Sequence, residues 1–211
     1  MKKMVLVFTL AVFALSGSAF AQDPNWSDNI GVYLTPGGYM NPIPGDGTGS
    51  CGFRTPNTGF HAYMVVSQMT QPEVWGWEAQ IFTENLIILN AAIQGGDFVN
   101  AGTGLGEYII GLTNPIVAVD NAALLCDFTL MVNPEAEQPA HVFIEGVFFS
   151  SLDSGLPAYL DGPGGSFVAM HNVFGDVLNP DDSVPVLVVN GDCDVVGVEE
   201  NTWGSVKSMF R

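Results

Sequence analysis

Basic residues are what this sequence has least of. Five Lys and Arg stand against 22 Asp and Glu in 211 residues, and between Arg54 and Lys207 there is none. A formal net charge of −17 repels phosphate backbones and anionic headgroups, which argues against nucleic acid and membrane surfaces as partners. Long apolar runs are missing too. The stretch Met4 to Leu15 covers about 12 residues where a bilayer needs about 20, and no later segment is longer, so no membrane insertion is expected once that stretch is removed. Helical periodicity is almost absent before residue 200, which removes the crossover helices of a parallel βαβ architecture. Catalytic fingerprints are missing as well: there is no G-x-S-x-G elbow, S-x-x-K, P-loop or G-x-G-x-x-G.

What is present begins with an export signal. Lys2 and Lys3 form a charged start, Met4 to Leu15 an apolar centre, and Ala19-Phe20-Ala21 an A-x-A cleavage site, so residues 1–21 read as a secretory signal peptide. No Cys follows the expected cut, so a lipoprotein is not suggested. The mature chain keeps only Arg54, Lys207 and Arg211 against all 22 acids, a formal charge of −19. Its length suits one domain over 22–198, followed by a tail at 199–211.

Export leaves Cys51, Cys126 and Cys193 in a compartment that permits disulfides, with one unpaired. Leu124, Cys126, Phe128, Leu130 and Val132 share one strand face by two-residue alternation, which reads Cys126 as a buried, inert thiol. Cys51 and Cys193 lie in polar, Gly-containing loops and are the expected pair.

Residues 35–59 hold seven Gly and four Pro, a density that predicts an irregular loop after a short strand at Asn29 to Thr35. From Gly59 to Phe149 runs of β-branched, aromatic and aliphatic residues are cut by turn residues about every ten positions, the rhythm of an antiparallel β-sandwich. Predicted strands are 60–70, 74–83, 85–93, 105–112, 116–119, 122–132, 140–149, 158–160, 166–171 and 184–190. In the tail, Trp203, Val206, Met209 and Phe210 recur at helix spacing behind Thr202, predicting a short helix weakened by Gly204.

Candidate chemistry is sparse. His61, His141 and His171 fall in three separate strands without metal-ligand spacing. Glu78, Glu84, Glu107 and Glu145 lie on or beside strands, where a glycoside hydrolase would need two carboxylates about 5 to 10 Å apart. In a chain this acidic, some pair always qualifies. Asp153-Ser154-Gly155 resembles a serine-protease fragment but lacks Gly-rich flanks and reads as a turn. Asn190, Asp192 and Asp194 carry oxygens at alternate positions, as a calcium loop does, yet Val195 replaces the sixth-position Gly; Ca²⁺ is the one cofactor the sequence suggests. Trp75 and Trp77, two apart on one strand, form either a stacking platform for sugar rings or, with Ala79 and Ile81, part of the core. Core is the simpler reading.

The landmarks Val74 to Ala79, Gly95-Gly96-Asp97, Gly106 to Leu112, Leu124 to Val132, Pro157-Ala158-Tyr159 and Pro185 to Cys193 resemble a group of exported β-sandwich proteins of environmental bacteria. Their closing tail, T-W-G-x-x-K-x-x-[YF]-R, is matched by Thr202 to Arg211. More distantly, Phe60 to Glu145 is similar to cohesin-like and carbohydrate-binding sandwiches, which implies a binding surface on a sheet face or loop tips and no catalysis. The expectation is a non-enzymatic secreted or cell-surface protein that binds a protein or polysaccharide. A carbohydrate-binding module is the alternative, and a hydrolase with paired carboxylates the weaker one. The tail, through Trp203, Lys207, Phe210 and Arg211, is expected either to be read by a sorting receptor or to fold back on its own domain.

Overall fold

A computed structural model describes residues 27–40, 49–135, 139–174 and 184–191. The expected signal peptide and tail lie outside the described residues. Along the chain run β1 (Asn29–Tyr33), β2 (Cys51–Gly52), β3 (Gly59–Ser67), β4 (Glu73–Glu84), β5 (Leu86–Ile93), β6 (Phe98–Asn100), β7 (Glu107–Val117), β8 (Ala122–Val132), β9 (Ala140–Glu145), β10 (Ala158–Leu160), β11 (Phe167–Ala169), β12 (His171–Asn172) and β13 (Leu187–Val189). A single 3-10 turn, Gly38–Met40, is the one helical element among the described residues.

These strands form two sheets. One has the order β12-β1-β3-β8-β5; the other joins β11, β10, β4, β9, β13 and β2, with β7 on β4 and β6 on β7. Most pairs are antiparallel, as expected, but β1 with β12 and β13 with β2 run parallel. Between the sheets lies one core, with Val32, Met64, Leu125 and Phe128 from the first and Trp77, Ile81, Val142 and Tyr159 from the second. Two-residue alternation places them: in β9, Ala140, Val142 and Ile144 are buried while His141, Phe143 and Glu145 turn toward solvent. Each such aliphatic side chain contributes about 1.5 to 3 kcal/mol by leaving water.

Three departures from the sequence reading share one cause, irregular pairing. The sequence pattern predicts separate strands at 105–112 and 116–119 on either side of Pro115, yet β7 runs through Pro115 to Val117. The ladder jumps there from Val74↔Ile116 to Gly76↔Gly111, so the amide that proline lacks is not demanded. The same shift breaks the alternation of β4. Val74 and Trp77 both enter the core, whereas Trp75 is partly exposed and gives its indole N–H to Glu73 at 2.9 Å. In β8 the pairing skips Leu125, so Leu124 turns away from Cys126 and packs with Tyr33 and Val65 on the outer face.

Candidate interaction surface

Gly76 and Gln80 of β4 each have partners on both sides, Gly111 and Leu160 for the first, Glu107 and Glu145 for the second. Thus β7 takes one edge of β4, while β9 and β10 share the other. Between β9 and β10 the chain leaves that edge as a loop, residues 146–157, and returns to pair with the next stretch of β4. Gly146 and Gly155 close its neck. A Cβ on Gly146 would collide with the Gly155 carbonyl oxygen, so only glycine admits this approach.

The loop lies over the outer face of the second sheet and is fastened there by Glu78. That carboxylate, 2% exposed, accepts from the Ser151 backbone N–H at 2.7 Å, the Ser151 hydroxyl at 2.7 Å and the Ser150 hydroxyl at 3.3 Å. A second carboxylate works from β7. Glu107 accepts from the backbone N–H groups of Thr103 at 2.8 Å and Gly104 at 3.0 Å. These donors, Thr103 first, hold its pKa below the ordinary carboxylate range. Glu78 thereby fixes the 146–157 loop, while Glu107 closes the turn that precedes its own strand.

What the loop presents is apolar. Phe148 and Phe149 are 85% and 80% exposed, with ring centroids 4.8 Å apart and planes at 87°. Leu105, in the turn tied to Glu107, is also fully exposed, and its carbonyl accepts from Gln80 at 2.9 Å. Large apolar side chains exposed on a loop fastened by a buried carboxylate make this a candidate interaction surface. The sequence reading placed Phe148 and Phe149 inside a strand ending at 149. The available signal was Gly146 ahead of the pair and Ser150-Ser151 behind it, near turn residues Asp153-Ser154-Gly155.

The other sequence candidates are scattered. Trp75 and Trp77 do not form a shared platform, since Trp77 is 2% exposed within the core. Asn190 spends its side chain on Arg54, accepting from the backbone N–H at 2.7 Å and donating to the carbonyl at 2.9 Å; Asp192 and Asp194 lie outside the described residues. No group of three His, Cys, Asp or Glu able to hold a metal occurs among the described residues. His61 pairs with Asp127 and His141 with Glu84, each at 2.8 Å, on different sheets. Of the four carboxylates weighed for hydrolysis, Glu78 and Glu107 serve the loops and Glu84 serves His141. Ser154 sits in the turn expected of it, its hydroxyl accepting from Leu156. Cys126 is buried and free; burial first, then the Asp127 carboxylate, pushes its thiol well above the ordinary range, so it is no nucleophile. Cys51 is buried in β2, whereas Cys193, Trp203, Lys207, Phe210 and Arg211 lie outside the described residues.

No protein-family model and no curated protein matches the chain. Among solved structures it is similar to the sixth cohesin of scaffoldin B from Acetivibrio cellulolyticus, solved with the Cel5 dockerin. The TM-score is 0.48 at 12% identity, covering 78% of this chain and 99% of that one. The third ScaB cohesin of R. flavefaciens, in complex with a group 1 dockerin, gives 0.44 at 8% identity over 70% of this chain and 92% of its own. A cohesin module from a Clostridium perfringens family 33 glycoside hydrolase gives 0.35 at 11% identity, over 69% and 98%.

Proposed function

We propose that this chain is a non-enzymatic, exported binding module that recognises a protein partner through the Phe148–Phe149 loop. The observation that carries the reading is the pairing of exposure with fixation. Two phenyl rings stand in water, yet their loop is fastened by Glu78 and closed at its Gly146–Gly155 neck. Holding the loop before contact lowers the ordering cost of association, and aromatic anchors of this kind dominate interface energies.

The geometry favours protein over polysaccharide as the ligand. Sugar rings stack on flat or coplanar aromatic platforms, whereas these rings stand at 87° and Trp77 is buried. A perpendicular pair suits insertion between side chains of a partner. The deciding experiment is a glycan array run beside cross-linking of the mature chain to the exported proteins of its host. Specific cross-links through the 146–157 loop with a blank array support the proposal; selective glycan binding that survives Phe148→Ser with Phe149→Ser contradicts it.

A further inference from the structure

Strand β5 is an edge that its own composition leaves unguarded. Among the described residues it pairs only with β8, and the segment from Asn85 to Gly96 contains no charged residue and no proline. Ile87 and Leu89 are 40% and 52% exposed along it. Proteins normally blunt such edges with charge, proline or a covering segment; here a register shift between Ile88 and Asn90 is the one local device.

The last described residue stands at the head of this edge. Gly191 lies so close to Pro139 that a Cβ on it would stand 2.7 Å from the proline ring. The Pro139 carbonyl accepts from the Asn85 side chain at 2.8 Å, and Asn85 immediately precedes β5. Twenty further residues follow Gly191 in the sequence. The seven that precede residue 199 reach about 25 Å when extended, and β5 is about 27 Å long, so the tail 199–211 reaches any point of it. Charge agrees with the path. Lys207 and Arg211 are two of the three cations of the mature chain, and exposed Glu84 and Asp97 flank the two ends of the uncharged segment.

From this geometry we infer that the C-terminal segment 199–211 covers the free edge of β5, with Trp203, Val206, Met209 and Phe210 over Ile87 and Leu89 and with Lys207 and Arg211 toward the flanking carboxylates. The tail is then the guard of an aggregation-prone edge. This inference is independent of the Phe148–Phe149 reading, which concerns the other sheet.

Hydrogen exchange tests it on the mature chain with its tail intact, against a Trp203→Ser with Phe210→Ser variant and a chain ending at Val198. The outward amides of Leu86–Ile93 should exchange about tenfold or more slowly with the native tail than in either altered chain, while β3 and β8 stay unchanged. Should the shortened chain fail to fold, the double variant decides alone. Equal exchange in native and double-variant chains overturns the inference. Protection that persists in the variant and disappears on dilution overturns it too, and assigns the edge to a second copy.

Discussion

Ser151 donates both its backbone N–H and its hydroxyl to the buried Glu78 carboxylate, each at 2.7 Å. This one contact joins β4 to a loop 73 residues further along. Hydrogen bonds to a charged group contribute about 1.5 to 3 kcal/mol each in favourable settings. Replacing Glu78 with Ala is expected to destabilise the domain by about 2 to 4 kcal/mol and to expose the 146–157 loop to proteolysis. Urea unfolding together with limited proteolysis checks both; an unchanged midpoint and an uncut loop contradict the role given to Glu78.

The two neighbouring tryptophans should separate in a mutational test. Trp77→Ala removes a large core side chain and is expected to cost about 3 to 5 kcal/mol, whereas Trp75→Ala, outside the core cluster, should cost about 1 kcal/mol or less. Equal losses would mean that the alternation of β4 is unbroken.

How far such detail was visible beforehand can be followed along β4 and β8. Apolar alternation located both strands to within a residue, because burial of one face imposes a period of two on the sequence. It failed at Trp75 and Leu124 for a shared reason. A bulge depends on how many residues the partner strand supplies, and that is a property of the pairing which neither strand carries alone. The short strands β2 and β6 were also missed, whereas the equally short β10 fell at its expected 158–160. The loop carrying Phe148 and Phe149 was read as strand because its apolar composition is that of a core segment. Its exposure follows from the glycine neck and from Glu78, placed 70 residues upstream of Phe148.

Acid should weaken the fold in two stages. Burial, opposed by the Asp28 carboxylate, lowers the pKa of His171 below its usual 6.5. The unfolded chain therefore takes up this proton first, so the contribution is complete above about pH 6.5 and declines as pH falls toward the folded value. Glu107 also has a folded pKa below its usual 4.5. Its contribution is present above the unfolded value and is lost as pH falls through the folded one. Unfolding midpoints measured from about pH 3 to 8 should show both declines, with Glu107→Gln flattening the lower and His171→Phe the upper.

The expected Cys51–Cys193 disulfide gains a structural motive from β13. Val188 pairs with Cys51 and Val189 with Gly52, and the Asn190 side chain is bound to Arg54, so the chain runs beside Cys51 shortly before Cys193. Closing a loop of about 140 residues would contribute on the order of 4 to 5 kcal/mol in the chain-entropy model. Non-reducing peptide mapping should recover a Cys51–Cys193 peptide with Cys126 alkylated; any bridge containing Cys126 contradicts the pairing.

Under the proposed function, Phe148 and Phe149 act as binding anchors and have little part in stability. Both are exposed, so exchanging them for Ser should leave the melting temperature unchanged within about 2 °C. The measurement is a titration of the cross-linked partner, once isolated, against the native chain and the Phe148→Ser with Phe149→Ser variant. A loss of affinity of about 30-fold or more at unchanged stability is the predicted result, in keeping with two aromatic anchors. Equal affinity of the two chains would place the binding surface elsewhere on the molecule and contradict the role given to Phe148 and Phe149.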